Sequence, residues 1–97
     1  MKTIYRLRVP DKVTRLLRGL HPELKQKLRT ALDTLTRDAR TGKPLHGELE
    51  GLRSLRVGRV RIVYRLGGRR VLEIVTVGPR ERIYEETLRL IRKDRRT

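Results

Sequence analysis

The first patterned segment of the chain, TIYRLRV at residues 3–9, alternates apolar and polar side chains. Tyr5, Leu7 and Val9 share one face, arginines lie between them, and a proline follows. A period of two residues is typical of a strand, because successive side chains of a strand point to opposite faces. The sequence therefore predicts an N-terminal strand that ends at Pro10.

The next thirty residues change to a helical period, which predicts a short helix over 11–20 and a longer one over 21–41. Pro22 suits the first turn of the longer helix, and Gly42 suits its end. The two helices are expected to form a hairpin. The apolar stripe of the longer helix consists of Leu24, Leu28, Ala31, Leu32, Leu35 and Ala39.

The second half of the chain returns to a period of two after a loop rich in glycine and proline at 42–54. Strands are predicted over 55–57, 59–66 and 69–77, the last two joined in a hairpin at the glycine pair 67–68. The strand over 69–77, VLEIVTV in its core, is apolar on both faces apart from two positions. Such a strand is usually central in its sheet.

A closing helix is predicted over 80–93, with four positions facing inward: Ile83, Thr87, Leu88 and Ile91. The element order is β-α-α-β-β-β-α. We therefore predict an α+β fold in which a small antiparallel sheet packs against an N-terminal helical hairpin and a C-terminal helix follows. The whole chain (1–97) forms one domain, since it contains no linker or repeat.

The strand RVRIVYR at 59–65 separates its two faces sharply. Its even positions are Val60, Ile62 and Tyr64, and its odd positions include Arg59, Arg61 and Arg65. We expect the even face to build the core and the cationic odd face to stay outside it.

The charge of the chain supports a polyanionic partner. The chain has 26 lysines and arginines against 11 acidic residues, a formal net charge of +15, and 20 of the cations are arginines. Self-repulsion of this size destabilises a compact domain, and arginine can bind two phosphate oxygens at once. A genome that favours arginine codons would give the same bias.

Several classes of site are excluded by the residues present. There is no cysteine, no glycine-rich phosphate loop and no zinc-binding His-Glu-x-x-His motif. Ser54 is the single serine, which disfavours a serine-type catalytic triad. We expect no metal and no cofactor. The chain has no run of 18 apolar residues, so we expect a soluble, cytoplasmic protein with no membrane contact.

One end of the predicted sheet gathers groups that suit a phosphodiester. If the last two strands pair as a hairpin, Arg59, Arg61, Arg80 and Tyr84 converge there. Guanidinium groups can stabilise charge that develops on phosphate oxygens, and a tyrosine can stack on a base or move a proton.

The segments GKPLHGELEGLRSLRVGRVRIVYRL and VLEIVTVGPRERIY together resemble the RelE family of bacterial and archaeal toxins. The family pattern is a PL-x-G-x-L-x-G loop, a basic strand and a strand that ends in G-x-R with a tyrosine beyond. The matching positions are Pro44, Leu45, Gly47, Leu49 and Gly51, then Arg56, Gly58, Arg61, Ile62 and Tyr64, then Gly78, Arg80 and Tyr84. The resemblance covers nearly the whole chain.

The resemblance implies a metal-independent endonuclease that cleaves mRNA in the ribosomal A site, inhibits translation and is neutralised by a cognate antitoxin. The RNA's own 2′-hydroxyl would attack the adjacent phosphate. Arg61 and Arg80 would stabilise that phosphate, and Tyr84 would orient the base or assist proton transfer. Contacts to mRNA or rRNA are expected from Arg53, Arg56, Arg59, Arg65, Arg82, Lys43 and His46.

Two positions depart from the family pattern and leave the general base unassigned. Arg53 stands where some members have a lysine, and Pro79 fills the middle of G-x-R, where members often have histidine or lysine. An arginine cannot act as a base, because it does not deprotonate in proteins. Tyr84 could serve as the base, and the weaker candidates are His46 and Lys43.

Each of these residues also has a purely structural interpretation. Arg61 could be a solvated residue of a sheet, Tyr84 could be part of the core, and His46 could be an exposed loop residue. Arg53 could form an ion pair with Glu48 or Glu50. Two other functions stay open: a ParE-like poison of DNA gyrase, and a nucleic-acid-binding relative without catalysis.

Overall fold

The computed structural model describes residues 4–79 and 81–95. Arg80, which the family resemblance assigns to the phosphate, lies outside the described residues. A short 3-10 helix spans Gly47–Leu49. The other elements are β1 (Arg6–Arg8), α1 (Asp11–Arg18), α2 (Pro22–Arg37), β2 (Lys43–Pro44), β3 (Arg53–Val57), β4 (Val60–Gly67), β5 (Val71–Pro79) and α3 (Ile83–Arg95).

The strands form one five-stranded sheet in the order β1-β5-β4-β3-β2. β2, β3, β4 and β5 pair antiparallel, whereas β1 pairs parallel to β5. The α+β class and the element order are confirmed, and β5 is central, between β1 and β4, as its apolar faces predict. The sheet is mixed rather than purely antiparallel, because β1 and β5 run in the same direction. The helical hairpin and three strands, β2, β3 and β4, separate them along the chain.

The region predicted as a loop over 42–54 contains more regular structure than expected. It holds β2, the 3-10 helix and the first two residues of β3. β2 has only two residues, which is too short for a period of two to be visible. The sheet therefore gains an edge strand that the sequence pattern does not reveal.

One face of the sheet packs against α1 and α2. The buried side chains of this hairpin-side core are Val13, Leu28, Leu35, Ala39, Val57, Ile62, Tyr64, Leu72, Ile74 and Val77. A fully buried side chain of this kind contributes about 1.5–3 kcal/mol relative to an exposed one. The even face of β4 is thus a core face, as predicted.

The other face of the sheet carries a second core under α3. Ile83 packs there with Val63, Leu49 and Leu52, and Leu88 and Ile91 extend it. The inward positions of α3 are confirmed. The odd face of β4, however, is not open along its length, because Val63 is fully buried beneath α3.

A register irregularity in the sheet keeps both cores apolar. Val63 pairs with Thr76 and Tyr64 pairs with Ile74, so Val75 is an extra residue of β5. The extra residue shifts the alternation of β5. Ile74 therefore faces the hairpin-side core, and Val75 packs under α3.

The turn between β4 and β5 is built from two arginines rather than from the glycine pair. Arg69 and Arg70 have φ angles of 57° and 60°, and the Val71 N–H donates to the Gly68 carbonyl at 3.3 Å. A non-glycine residue in this left-handed region costs about 1 kcal/mol or more.

We expect the double substitution Arg69→Asn, Arg70→Gly to raise the free energy of unfolding by about 1 kcal/mol, since Asn-Gly suits such a turn.

Urea unfolding measures this effect directly. The matched control is Gly67→Ala, which changes a neighbouring residue whose φ is not in the left-handed region. A double variant less stable than the native chain would contradict the assignment of strain to these two arginines.

Candidate nucleic-acid interface

The ends of β4 and β5 meet at one edge of the sheet, where Arg61 pairs with Gly78 and Val60 pairs with Pro79. α3 begins four residues after Pro79 and brings Tyr84 over this edge. The Arg61 Cζ atom lies 5.9 Å from the centroid of the Tyr84 ring. The structure therefore brings together two of the three residues to which the sequence assigned the chemistry.

Arg61 is half-buried and its guanidinium is held from two sides. Nη1 donates to the Ser54 hydroxyl at 3.2 Å, and the Tyr84 ring covers the group. Its Nε is buried and has no hydrogen-bond partner among the described residues. A buried donor without a partner costs about 1–3 kcal/mol.

Other cations lie on the same face of the sheet as Arg61. Arg56 is its direct cross-strand partner, and Lys43 is the partner of Ser54. Residues paired across strands point to the same side. Arg59 follows Gly58 in the tight turn that joins β3 to β4. Arg56, Lys43 and Arg59 are all exposed, so they form a cationic rim around the half-buried Arg61.

A carboxylate also enters this site. A Cβ atom built on Gly78 would lie 3.0 Å from Glu86 Oε2 and 3.0 Å from Ile83 Cδ1. Glu86 therefore reaches down from α3 to the strand position opposite Arg61. We call Ser54, Arg61, Gly78, Tyr84 and Glu86 the Arg61 site.

Sequence reasoning missed Ser54 and Glu86 as members of this site. The sequence pattern assigns no role to Ser54, although its pairing with Val63 places it one row from Arg61. Glu86 lies one helical turn after the inward-facing Ile83. That spacing was the available signal, because residues three apart share a helix face.

Arg53 lies elsewhere, on the hairpin side of the sheet, where it pairs with Tyr64. Its Nη2 donates to the carbonyls of Arg40 at 3.1 Å and Gly42 at 2.6 Å. The alternative ion pair with Glu48 or Glu50 is wrong for the described residues. Glu48 instead binds Arg92 at 3.0 Å.

Three further predicted RNA contacts lie outside the Arg61 site. Arg65 Nε donates to Glu73 Oε1 at 2.6 Å, toward the opposite end of β4. His46 is exposed and precedes the 3-10 helix, and Arg82 is exposed just before α3. Arg65 is therefore neutralised within the protein, whereas His46 and Arg82 are accessible. Their roles in RNA binding stay predictions.

Within residues 4–79 and 81–95, no three histidine, cysteine or acidic side chains are grouped so as to hold a metal ion. None of the helices in this part of the chain has the length and apolar character of a membrane span.

The hydroxyl of Ser54 is expected to orient Arg61. Ser54 is almost fully buried, and its Oγ accepts the hydrogen bond that fixes one edge of the guanidinium. If Arg61 acts on a phosphate, Ser54→Ala should lower the rate of phosphodiester cleavage about tenfold through misplacement of Arg61. Single-turnover cleavage measures the rate, and thermal unfolding checks that the variant is folded. An unchanged rate in a folded variant would contradict an orienting role.

Fold and site together define a small, strongly basic α+β domain with a cationic site at one edge of its sheet. The model of a family described as the ParE toxin of type II toxin–antitoxin systems, parDE, matches residues 8–84. The chain therefore belongs to this family and is a toxin of the wider RelE/ParE superfamily. No curated protein sequence matches the chain.

Solved structures of RelE toxins and their complexes share the fold. A chain of the toxin–antitoxin complex RelBE2 from Mycobacterium tuberculosis is 31% identical with a TM-score of 0.70, over 80% of this chain and 93% of that chain. A mutant of the E. coli toxin RelE in the free state is 22% identical with a TM-score of 0.71, over 89% and 96%. A chain of the archaeal RelE–RelB complex from Pyrococcus horikoshii is 22% identical with a TM-score of 0.67, over 81% and 98%.

Proposed function

We propose that the protein is a ribosome-dependent mRNA endonuclease that cleaves in the A site and so inhibits translation. The observation that carries this proposal is the half-buried Arg61 guanidinium, fixed by Ser54 and covered by Tyr84. A fixed cation beside an aromatic ring suits the phosphate and the base of one nucleotide. Such a preorganised arrangement stabilises charge without reorganisation during the reaction.

The cleavage step proceeds by attack of the RNA's 2′-hydroxyl on the adjacent phosphorus. The 2′-oxygen forms a bond to phosphorus, and the bond from phosphorus to the 5′-oxygen of the next nucleotide breaks. The products are a 2′,3′-cyclic phosphate and a free 5′-hydroxyl. Arg61, with Arg80 as its proposed partner, neutralises the phosphate oxygens, so the step needs no metal ion. Tyr84 stacks on a base or protonates the leaving oxygen.

The cationic rim of Lys43, Arg56 and Arg59 supplies contacts to mRNA or rRNA backbone, together with Arg82. These side chains are exposed, as expected of phosphate contacts. Arg53 and Arg65 are weaker candidates, because backbone carbonyls and Glu73 already engage them.

A cognate antitoxin is the proposed protein partner, and the cytoplasm is the proposed location. The structures from M. tuberculosis and P. horikoshii contain relatives in complex with antitoxins. We expect an acidic or amphipathic antitoxin segment to cover the basic side of the sheet and to compete with α3 for it. A complex that leaves Arg61 and Arg80 open to solvent would contradict this expectation.

A second candidate function is poisoning of DNA gyrase. The family description names the ParE toxin, which favours this candidate as much as the RelE-like fold favours the nuclease. A gyrase poison has no chemical need for Arg61 beside Tyr84. A relative that binds nucleic acid without catalysis is the third possibility.

Primer extension on a defined mRNA, with and without programmed 70S ribosomes, tests the proposal. We expect cleavage only with ribosomes, at A-site codons, and its loss in Arg80→Ala. Absence of cleavage in both conditions would overturn the nuclease. A DNA supercoiling assay with purified gyrase then distinguishes a gyrase poison from a binder without chemistry.

A further inference from the structure

The Arg61 site contains a carboxylate placed to act in proton transfer. Glu86 Oε2 lies 3.0 Å from the position of a Cβ atom on Gly78. Gly78 pairs directly with Arg61, and Cβ positions of such pairs are about 4.5–5.5 Å apart. The carboxylate therefore lies over the end of β5, on the same face of the sheet as Arg61 and beside the strand position that pairs with it.

The absence of a side chain at residue 78 makes this approach possible. Gly78 is buried in the sheet, and its φ angle is not in the left-handed region, so backbone conformation alone does not require glycine there. A methyl group would contact both Glu86 and Ile83 more tightly than ordinary packing allows. Gly78 thus opens the space that the Glu86 carboxylate occupies.

The cleavage step needs a group that takes the proton of the 2′-hydroxyl. Arginine cannot do so, because its guanidinium stays protonated. His46 lies in the exposed segment before the 3-10 helix, and Glu48 is engaged by Arg92. A carboxylate is ionised at neutral pH and accepts a proton when a substrate oxygen approaches within hydrogen-bond distance.

We propose that Glu86 is the general base of the cleavage reaction, an inference that rests on the proposed nuclease function. Glu86 Oε2 takes the proton of the 2′-hydroxyl as the 2′-oxygen bonds to phosphorus. The bond to the 5′-oxygen breaks with its electron pair, and that oxygen takes a proton from the Tyr84 hydroxyl. Arg61 balances the charge on the non-bridging oxygens, and proton exchange with water restores both side chains.

Single-turnover cleavage of mRNA on programmed ribosomes tests this assignment with Glu86→Gln. The amide keeps the size of the side chain but does not accept a proton, so we expect the rate to fall at least 100-fold, within the range typical of general-base catalysis. Ribosome binding, measured by co-sedimentation, should stay unchanged. Glu85→Gln, at an exposed neighbouring position of α3, is the matched control and should cleave at the native rate.

Gly78→Ala gives an independent test, since its methyl group should displace the carboxylate and lower the rate about tenfold or more while Arg61 stays in place.

The outcomes are distinguishable from failure of the proposed function. A native protein that cleaves, with Glu86→Gln within threefold of its rate, would overturn Glu86 as the base and leave the nuclease standing. Loss of ribosome binding in folded Glu86→Gln would also overturn it, in favour of a binding role. A native protein that cleaves nothing would overturn the proposed function and the base assignment with it.

Discussion

Arg61→Ala is expected to lower the rate of ribosome-dependent mRNA cleavage about 100- to 1000-fold, the loss typical when one fixed donor to a transition-state oxyanion is removed. Arg61 is half-buried, its Nη1 is fixed by Ser54, and Tyr84 covers its guanidinium. This preorganisation makes the cation effective against charge that develops only during the reaction. Single-turnover cleavage on programmed ribosomes measures the change.

The same substitution should leave the fold intact. Arg61 Nε is buried and has no partner among the described residues, so its removal eliminates an unfavourable group. We expect the melting temperature of Arg61→Ala to stay close to that of the native chain, because loss of the unpartnered Nε offsets loss of the hydrogen bond to the buried Ser54 hydroxyl.

Two variants control this experiment. Arg61→Lys keeps the charge but loses the planar fork and should recover only a small part of the rate. Arg37→Ala removes an equal charge from α2, where Arg37 pairs with Asp33 at 3.5 Å on the surface, and should retain full cleavage. Native cleavage by Arg61→Ala would exclude Arg61 from the chemistry, whatever else the protein does on the ribosome.

The sequence predicted those parts of the fold in which one period persists over many residues. α2 and β4 were found this way, as was the packing of α3 through Ile83 and its neighbours. A sustained period shows which face of a helix or strand is buried, but it does not show which other element packs or pairs with it. For the same reason it did not reveal that β1 pairs parallel to β5.

The odd face of β4 has two different environments, which side-chain alternation alone does not predict. Arg61 and Val63 lie on the same face, yet one borders a functional site and the other is sealed beneath α3. Alternation describes a strand as if its whole face had one environment. The boundary between the two environments is set by where α3 begins and crosses the sheet, which is a tertiary feature.

The part of the candidate site that follows from the antiparallel pairing of β4 and β5 could be predicted from the sequence. That pairing brings the start of β4 to the end of β5, and it placed Arg61 near Tyr84. The intramolecular partners of Arg53 could not be predicted from the sequence, and its contact with RNA stays a prediction. Arg53 donates to the backbone carbonyls of Arg40 and Gly42, which lie in the irregular segment between α2 and β2, and side-chain alternation does not report such contacts.

Tyr64→Phe is expected to lower the free energy of unfolding by about 2–3 kcal/mol, because two buried backbone groups lose their partner. The Tyr64 hydroxyl donates to the Ala39 carbonyl at 2.7 Å and accepts from the Gly42 N–H at 3.0 Å. These bonds fasten the segment that follows α2 to the centre of the sheet. For a domain of about 100 residues, the change corresponds to a fall of about 10 °C or more in melting temperature.

Tyr5→Phe is the matched control, since Tyr5 packs against the same core and its hydroxyl makes no hydrogen bond to another described residue. It should change stability by less than about 0.5 kcal/mol. Gly42→Ala tests the same contact between the segment after α2 and β4. Its Cβ atom would lie 2.5 Å from the Tyr64 hydroxyl and 2.9 Å from the Ser54 carbonyl oxygen. Because backbone cannot yield as a flexible side chain can, we expect Gly42→Ala to destabilise as strongly as Tyr64→Phe. Near-native stability of both variants in urea unfolding would show that this buried hydroxyl does not hold α2 to the sheet.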